Sequence, residues 1–307
     1  MRWRYSALGL ATVCWGTSAA ATKLGLGAFR PATQLLVELV FATSFLWLPV
    51  VALGHRPRIG SLQTYAMLAF LDPALPFLLI LIGLRSSTAA NAALLVSLES
   101  FAAVGFAVVI GTERVTRVFA TGAILAVAGA LLVSSSGTSA FALGDLLFLA
   151  ATVPLGLSVV VARRIAPSTP SSEITRYQTG FATAIVVPCV AVEWLLTGGP
   201  TTRHADSGAW GAAIYAGIIG LAMGNLMFNY VLGKVSAATA GLALNLVPLI
   251  GVIAAVAVLG EDLTTAEAIG GGLIVFGLAL PSCEEPLVHM DPDISVASIK
   301  DEASGLD

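Results

Sequence analysis

Residues 97–116 have the sequence SLESFAAVGFAVVIGTERVT, an apolar segment that carries one carboxylate, Glu99, and ends in a short polar turn. Apolar segments of this kind recur along the 307-residue chain, which is 57% hydrophobic and only 11% charged. A soluble domain has about 25% charged residues, so the composition predicts an all-α integral membrane protein. The N-terminal sequence MRWRYSALGLATVCWGTSAAA also resembles a signal peptide, but the apolar segments after it favour a first membrane span.

Ten segments have the roughly 20 apolar residues that a helix needs to cross about 30 Å of hydrocarbon. They lie near residues 5–26, 33–53, 62–83, 87–110, 117–135, 143–162, 174–196, 209–232, 236–259 and 265–281. Basic residues accumulate in cytoplasmic loops, and their distribution here predicts that both termini are cytoplasmic. Of the 15 Lys and Arg residues, four then lie outside and eleven inside.

An internal repeat relates the two halves of the chain. ATVCWG at 11–16 matches ATVPLG at 151–156, and GTERVT at 111–116 aligns with LGEDLT at 259–264. Each half holds five spans, and because five is odd the second half enters the membrane in the opposite sense. Inverted repeats are typical of secondary transporters, whose substrate sites lie near the midplane between the halves. We predict five-helix repeats at 1–136 and 137–281, followed by an acidic, disordered cytoplasmic tail at 282–307.

Three motifs carry a resemblance to a known family: WGTS with Lys23 in the first span, the segment at 97–116, and NLVPLIGVIAAVAVLGEDLT at 245–264. Together they resemble the drug/metabolite transporter superfamily, specifically its EamA-type members, over residues 5–281. The resemblance implies a ten-helix permease that exports amino acids, amines or other small metabolites. Ser100 replaces a common family proline, Val247 replaces the equivalent glutamate, and Glu38 occurs where the family often has a basic residue.

Three carboxylates fall inside predicted spans: Glu38, Asp72 and Glu99. A charge at the bilayer centre costs about 2.5–3.5 kcal/mol, so such residues face the interior of a helix bundle. Glu99, near the middle of span 4, is a candidate for binding a proton or a cationic substrate group. Its alternative role is a hydrogen bond between helices. Glu38, about a turn and a half into span 2, is placed within reach of the outer mouth.

Spans 3 and 8 are both interrupted. Pro73 and Pro76 follow Asp72 and break the helix by removing backbone donors. Gly220 and Gly224 occupy the corresponding positions in span 8. Paired interruptions point to a transporter's binding site or hinge, whereas glycines in span 8 could alternatively serve only close helix packing.

The remaining candidates are amides and one indole. Asn225 and Asn229 are four residues apart and share one helix face, where they suit a polar substrate or hydrogen bonds between helices. Trp15 lies in the middle of span 1 and suits a substrate-stacking or gating role, or core packing. Lys23 either balances an interior carboxylate or extends to the headgroups. TTAE at 264–267 predicts a capping box, and Glu113 and Glu261 are interpreted as turn and cap residues.

The sequence lacks the motifs typical of nucleotide-binding and metal-dependent proteins. The sequence has no phosphate-binding loop, no H-E-x-x-H motif and no Cys/His cluster. We therefore predict no metal site, no cofactor and no enzymatic activity.

The sequence predicts a multi-pass secondary transporter in the cell membrane that exports a small organic metabolite by alternating access. Proton coupling and facilitated diffusion both stay open. The expected partners are the substrate, membrane lipids and, with coupling, protons; the protein is a monomer or homodimer and binds no nucleic acid. One alternative is an exchanger or flippase for a larger anionic ligand, which should have a basic cavity. Another is a membrane scaffold, receptor or lipid-modifying enzyme that transports nothing.

Overall fold

A computed structural model describes residues 2–54, 61–111, 115–135, 143–199, 205–232 and 246–282. Over these ranges the chain forms helices and no β-strand. In chain order the helices are α1 (Arg2–Gly25), α2 (Pro31–Ala52), α3 (Leu62–Gly83), α4 (Ala89–Val109), α5 (Arg117–Ser135), α6 (Leu143–Ile165), α7 (Ser171–Thr197), α8 (Ser207–Leu232), α9 (Val247–Leu259) and α10 (Thr265–Ser282). Glu113, the first part of the predicted ninth span and the tail after residue 282 lie outside the described residues.

Within the described ranges, seven helices, α2 to α8, are long and apolar enough to cross a membrane. Helix α1 has 24 residues and is less apolar, since it includes Thr17, Thr22 and Lys23. It packs against α4, α8 and α9, so protein rather than lipid surrounds much of its polar surface. Helices α9 and α10 are shorter apolar helices. The described part of the chain is thus an all-helical membrane protein.

Helix ends follow the capping chemistry of the sequence. Thr264 and Glu267 form the predicted capping box: the backbone N–H of Thr264 donates to Glu267 at 2.7 Å, and the N–H of Glu267 donates to the Thr264 hydroxyl at 3.2 Å. The carboxylate of Glu261 caps a different helix, because it accepts the backbone N–H groups of Ala89 and Ala90 at the start of α4. The predicted cap function of Glu261 is confirmed, and it joins the α9–α10 connection to α4.

Helix α3 is interrupted over Phe70–Ala74, where Asp72 adopts an extended backbone with φ −163° and ψ 117°. Pro73 follows directly and has no N–H with which to continue the helix. The predicted break is therefore present, and Pro76 lies in the first turn of the segment that resumes at Leu75.

Helix α8 differs, because it widens into a turn of larger diameter over Ala216–Gly224 without leaving helical geometry. Helix α4 consists of two segments, Ala89–Val96 and Glu99–Val109, so Glu99 begins the second one.

Two large apolar cores account for much of the packing among the described helices. The first joins α2, α3, α7 and α8 around residues such as Leu35, Leu39 and Leu221, and the second joins α4 to α5, α6, α9 and α10 around Leu95 and Ile274. Among described helices, α5 also packs closely on α10, and α1 lies against both α8 and α9. The interrupted helices α3 and α8 both belong to the first core, so their polar groups lie next to α2 and α7.

Candidate functional site

The break in α3 brings Asp72 into contact with α7. The side-chain amide of Gln178 donates to the backbone carbonyl of Asp72 at 2.7 Å and to its carboxylate at 3.0 Å. A carbonyl released from helical bonding inside a membrane protein needs such a partner, since lipid offers none. Gln178 is buried, and its own Oε1 has no hydrogen-bond partner among the described residues. The amide NH₂ of Gln178 therefore stabilises the interrupted backbone at Asp72, while its Oε1 stays without a donor in the described ranges.

Glu99 lies near this break. It follows a tight turn at Ser97 and Leu98, where the Ser97 hydroxyl donates to the Leu94 carbonyl at 2.6 Å. Its carboxylate is within electrostatic range of Asp72. The two carboxylates thus come from two interrupted helices and act on one another across the interior, an arrangement that favours a cation or protons between them.

The two asparagines of α8 have different surroundings. Asn229 donates to the Thr175 hydroxyl of α7 at 3.0 Å, which is a hydrogen bond between helices. Asn225, also buried, has a side-chain Nδ2 without a partner among the described residues. The structure therefore leaves the donor of Asn225 available and uses that of Asn229.

Trp15 and the glycines of α8 pack closely. The Trp15 ring lies 5.0 Å from the Phe228 ring, and a Cβ at Gly224 would lie 2.7 Å from the Trp15 indole nitrogen. A Cβ at Gly220 would lie 2.6 Å from the Ser18 side chain. Both glycines therefore permit the close approach of α1 to α8, as the packing interpretation predicted.

Glu38 does not reach the outer mouth, contrary to the sequence interpretation. Its exposed fraction is 0%, and α8 packs on its backbone: a Cβ at Gly217 would lie 2.3 Å from the Glu38 backbone carbonyl. Its Oε1 accepts hydrogen bonds from Thr22 and Gln34, each at 2.8 Å. Neither the Oε2 of Glu38 nor the Oε1 of Gln34 has a partner among the described residues.

The ammonium of Lys23 binds backbone carbonyls and none of the carboxylates Glu38, Asp72 and Glu99. Its ammonium donates to the backbone carbonyls of Leu84 and Ser87, just after α3. It also interacts electrostatically with Glu261. The lysine therefore joins α1 to the α3–α4 connection.

The structure gives these candidates different partners. Asp72 binds Gln178 and interacts electrostatically with Glu99, Glu38 binds Thr22 and Gln34, and Trp15 lies against Gly224 and Phe228. One partner was not among the sequence candidates: Gln34. Its spacing from Glu38, four residues along a helix, was a usable signal. Gln178 is one of the second-half amides that the sequence places opposite the first-half carboxylates, and it contacts Asp72. No cluster of three metal-ligating side chains occurs in the described ranges.

The model of the EamA-like transporter family matches residues 2–135 and 142–283. This chain belongs to the EamA-like transporter family. It is accordingly a multi-pass membrane transporter and not an enzyme.

Three relatives are similar to this chain over about half or more of their own length. A probable terminal-alkyne amino-acid exporter of Streptantibioticus cattleyicolor is 26% identical over 276 residues, which cover 89% of this chain and 91% of the relative. The uncharacterized transporter YyaM of Bacillus subtilis is 27% identical over 66% of this chain and 68% of its own. A probable biotin transporter of Pseudomonas aeruginosa is 29% identical over 51% of this chain and 55% of its own.

A chain of known crystal structure shares the fold. The TM-score is 0.66 at 20% sequence identity, with 92% of this chain and 96% of that chain covered.

Proposed function

We propose that this EamA-like transporter exports a small organic metabolite with a cationic amino group, such as an amino acid or amine, in exchange for protons. The observation that carries the proposal is the carboxylate pair Asp72 and Glu99 at the breaks of α3 and α4. An ammonium group placed between them would offset their repulsion. The amino-acid exporter that covers most of this chain supports the same substrate class.

Amides on the second half complement these carboxylates. Asn225 offers an unpartnered donor, suited to a substrate carboxylate, and Gln178 an unpartnered acceptor. A zwitterion needs both kinds of partner, because a buried polar group without one is costly. These two amides are therefore assigned to the polar remainder of the substrate.

The anionic-ligand alternative is less well supported. Among the described residues, the buried polar and charged side chains include Glu38, Asp145, Glu173 and Glu267 but no lysine or arginine. A site for a nucleotide-sugar or phospholipid headgroup would require such cations to neutralise phosphate.

We also propose that the two halves form an inverted repeat of five spans each. Gly16 and Gly156 correspond in the sequence repeat, as do Ile250 and Ala102. A Cβ at Gly16 would lie 2.5 Å from the Ile250 side chain, and a Cβ at Gly156 would lie 2.7 Å from the Ala102 side chain. Corresponding residues thus make corresponding contacts across the bundle.

The contact between α5 and α10 follows the same relation. Gly122 corresponds to Gly270 and Gly129 to Gly277 at the spacing of 148 residues that aligns GTERVT with LGEDLT. A Cβ at Gly129 would lie 2.4 Å from the Gly270 carbonyl, and a Cβ at Gly277 would lie 2.5 Å from the Gly122 carbonyl. Exchanging the halves turns one of these contacts into the other, as a two-fold axis between the halves requires.

Single-cysteine labelling tests the inverted orientation. Leu53, after α2, and Leu196, at the end of α7, are exposed and suit substitution by cysteine in a background without Cys14, Cys189 and Cys283. An impermeant maleimide should reach L53C only from the cytoplasm and L196C only from outside. Labelling of both positions from one side would contradict the inverted repeat.

In this proposal, alternating access comes from rocking of the halves about the break at Pro73 and Pro76 and the wide turn at Gly220 and Gly224. Breaks and widened turns in two helices of one core provide the places where backbone angles can change while the apolar core stays packed.

Transport by the full chain in proteoliposomes tests the substrate class. Efflux of leucine, propargylglycine, lysine, phenethylamine and biotin is measured under an imposed pH gradient. The amine-bearing compounds should move, and Glu99→Gln or Asp72→Asn should lower their efflux on the order of tenfold, equivalent to about 1.4 kcal/mol of lost binding. Asp262→Asn, at an exposed position between α9 and α10, is the matched control and should have no effect. Transport of biotin alone would favour the anionic-ligand alternative.

A further inference from the structure

Glu38 is a buried acid that the substrate contacts proposed above do not use. Its Oε1 accepts both hydrogen bonds described for the side chain, from Thr22 of α1 and Gln34 of α2. Its Oε2 is buried and has no partner among the described residues. A carboxylate anion shares its charge between two oxygens, and leaving one of them unpaired in a dry interior is strongly unfavourable.

A neutral carboxylic acid accounts for this pattern. The neutral group has one carbonyl oxygen, which accepts well, and one hydroxyl, which donates. Two donors on Oε1 and none on Oε2 fit a neutral acid with Oε1 as the carbonyl and Oε2 as the hydroxyl, because an unpaired hydroxyl costs less in a dry interior than an unpaired charged oxygen. Gln34 Oε1, which also lacks a partner in the described ranges, is an acceptor on the same neighbouring side chain.

Among the described residues, no charged group binds the carboxyl of Glu38. The titratable groups of the helices packed around α2 are engaged elsewhere: Lys23 with the carbonyls of Leu84 and Ser87, Asp72 with Gln178, Glu193 with the N–H groups of Ala32 and Thr33, Glu173 with Tyr65, Arg176 with the Ser172 carbonyl, and Tyr215 with Thr17. The two groups that bind the carboxyl of Glu38 in the described structure are both neutral.

The helix packed on the backbone of Glu38 is α8, which the transport cycle is proposed to move. Gly217 lies in the wide turn of α8 and contacts the Glu38 backbone so closely that no other residue type fits. The same turn leads directly into Asn225, whose unpartnered donor is assigned above to the substrate. A displacement of α8 on substrate binding would therefore also loosen the packing around Glu38.

We propose that Glu38 carries the exchanged proton and makes no contact with the substrate. The inference rests on the proposed function as an exporter coupled to protons. When α8 moves away toward one side, the Oε2–H bond breaks, the proton passes to water and the carboxylate remains. In the state open to the other side, the carboxylate takes one proton from water, and closure of α8 over the neutral acid completes the cycle.

The transport test separates coupling from translocation. Glu38→Gln keeps the shape and hydrogen bonds of a neutral acid but cannot release a proton. With the panel amino acid of greatest wild-type flux, exchange of labelled for unlabelled compound should stay within about twofold of wild type, whereas uphill accumulation driven by a pH gradient should be abolished. Unchanged accumulation in E38Q would overturn the proposal. A wild-type protein that moves none of the compounds would instead contradict the proposed function.

A second measurement needs neither a substrate nor the variant's transport activity. Infrared spectra of the solubilised full chain at neutral pH should contain the carbonyl band of protonated carboxyls, and E38Q should lose part of the intensity of this band whereas E193Q should keep all of it. If E38Q does not fold, peptide mapping of wild-type protein treated with dicyclohexylcarbodiimide replaces it, since that reagent modifies protonated carboxyls in apolar surroundings. A band unchanged in E38Q, or modification that spares Glu38 while marking Asp72 or Glu99, would overturn the proposal.

Discussion

Helices α3 and α8, which the proposed repeat places in corresponding positions, are both irregular, yet they are irregular for opposite reasons. In α3 the proline after Asp72 removes a donor, the backbone becomes extended and a carbonyl is released. In α8 the glycines remove side chains, and the backbone stays helical while α1 and α2 move closer. The break in α3 exposes polar backbone, whereas the glycines of α8 expose a surface for close packing.

The difference explains why their partners differ. The released carbonyl of Asp72 must be satisfied by a donor, which Gln178 supplies. The space left by the missing glycine side chains of α8 is occupied by neighbouring atoms, namely those of Trp15 and of the Glu38 backbone. Mutations in the two helices should therefore fail by different mechanisms: overpacking in α8 and unsatisfied hydrogen bonds in α3.

The largest expected effect is overpacking of α8. Gly217→Val would place side-chain atoms where the Glu38 carbonyl lies, since even a Cβ would be 2.3 Å from that oxygen. Inserting atoms into a packed contact costs about 1–3 kcal/mol or more, so unfolding in mixed detergent should shift by at least that amount. Gly211→Ala is the matched control on the same helix, because its Cβ would have no neighbour within 4 Å. Equal stability of the two variants would remove the contrast between α3 and α8.

The next effect concerns the break in α3. Gln178→Met keeps the side-chain length but deletes the donor to the Asp72 carbonyl and carboxylate. Leaving a buried acceptor unsatisfied costs about 1–3 kcal/mol, measured as the free energy of unfolding. Gln63→Met, at an exposed position near the start of α3, is the control and should have little effect. A stable Q178M would mean that the break needs no donor from α7.

A smaller effect is expected at the contact between α7 and α8. Asn229→Leu or Thr175→Val removes one hydrogen bond between the helices. Such bonds contribute about 0.6–1.7 kcal/mol in membrane proteins. A double-mutant cycle should show that the second substitution adds less than the first. Additive losses would indicate that Asn229 acts elsewhere, and its assignment to the substrate would regain support.

The smallest effect is expected at the connection between α9 and α10. Glu261→Gln weakens the charge-assisted cap on α4 by about 0.3–1 kcal/mol, because an anion at a helix N-terminus also interacts with the helix dipole. The unfolding of E261Q should be compared with that of D262N, which alters an exposed neighbouring carboxylate. A loss as large as that in G217V would show that connections, rather than packing in α8, dominate stability.

Local features of the sequence predicted their own structures well. Pro73 predicted the break in α3, since a missing N–H acts within one turn wherever the helix lies. Thr264 and Glu267 predicted their capping box for the same reason, because both partners lie within four residues. The low fraction of charged residues was sufficient to assign the chain to the membrane.

Features that depend on rotation and approach of distant helices were predicted less well. The sequence predicts Glu38 near the outer mouth. Only the structure shows that its side chain is fully buried and that Gly217 packs on its backbone. Lys23 was expected to meet a carboxylate or the headgroups, and its carbonyl partners lie about sixty residues away in the sequence. Hydropathy shows that a residue lies inside a span but not which helix it faces.

The sequence by itself determined a helical membrane protein of the EamA type, the position of the break in α3 and the polar residues that had to face the interior. Those features arise from backbone chemistry and from the cost of placing charge in lipid, which act locally. The tertiary structure decided which polar groups share a place: Asp72 with Gln178 and Glu99, and Glu38 with Thr22 and Gln34. These pairings depend on how the helices pack, and in a bundle the packing is set by side chains that lie far apart in the chain.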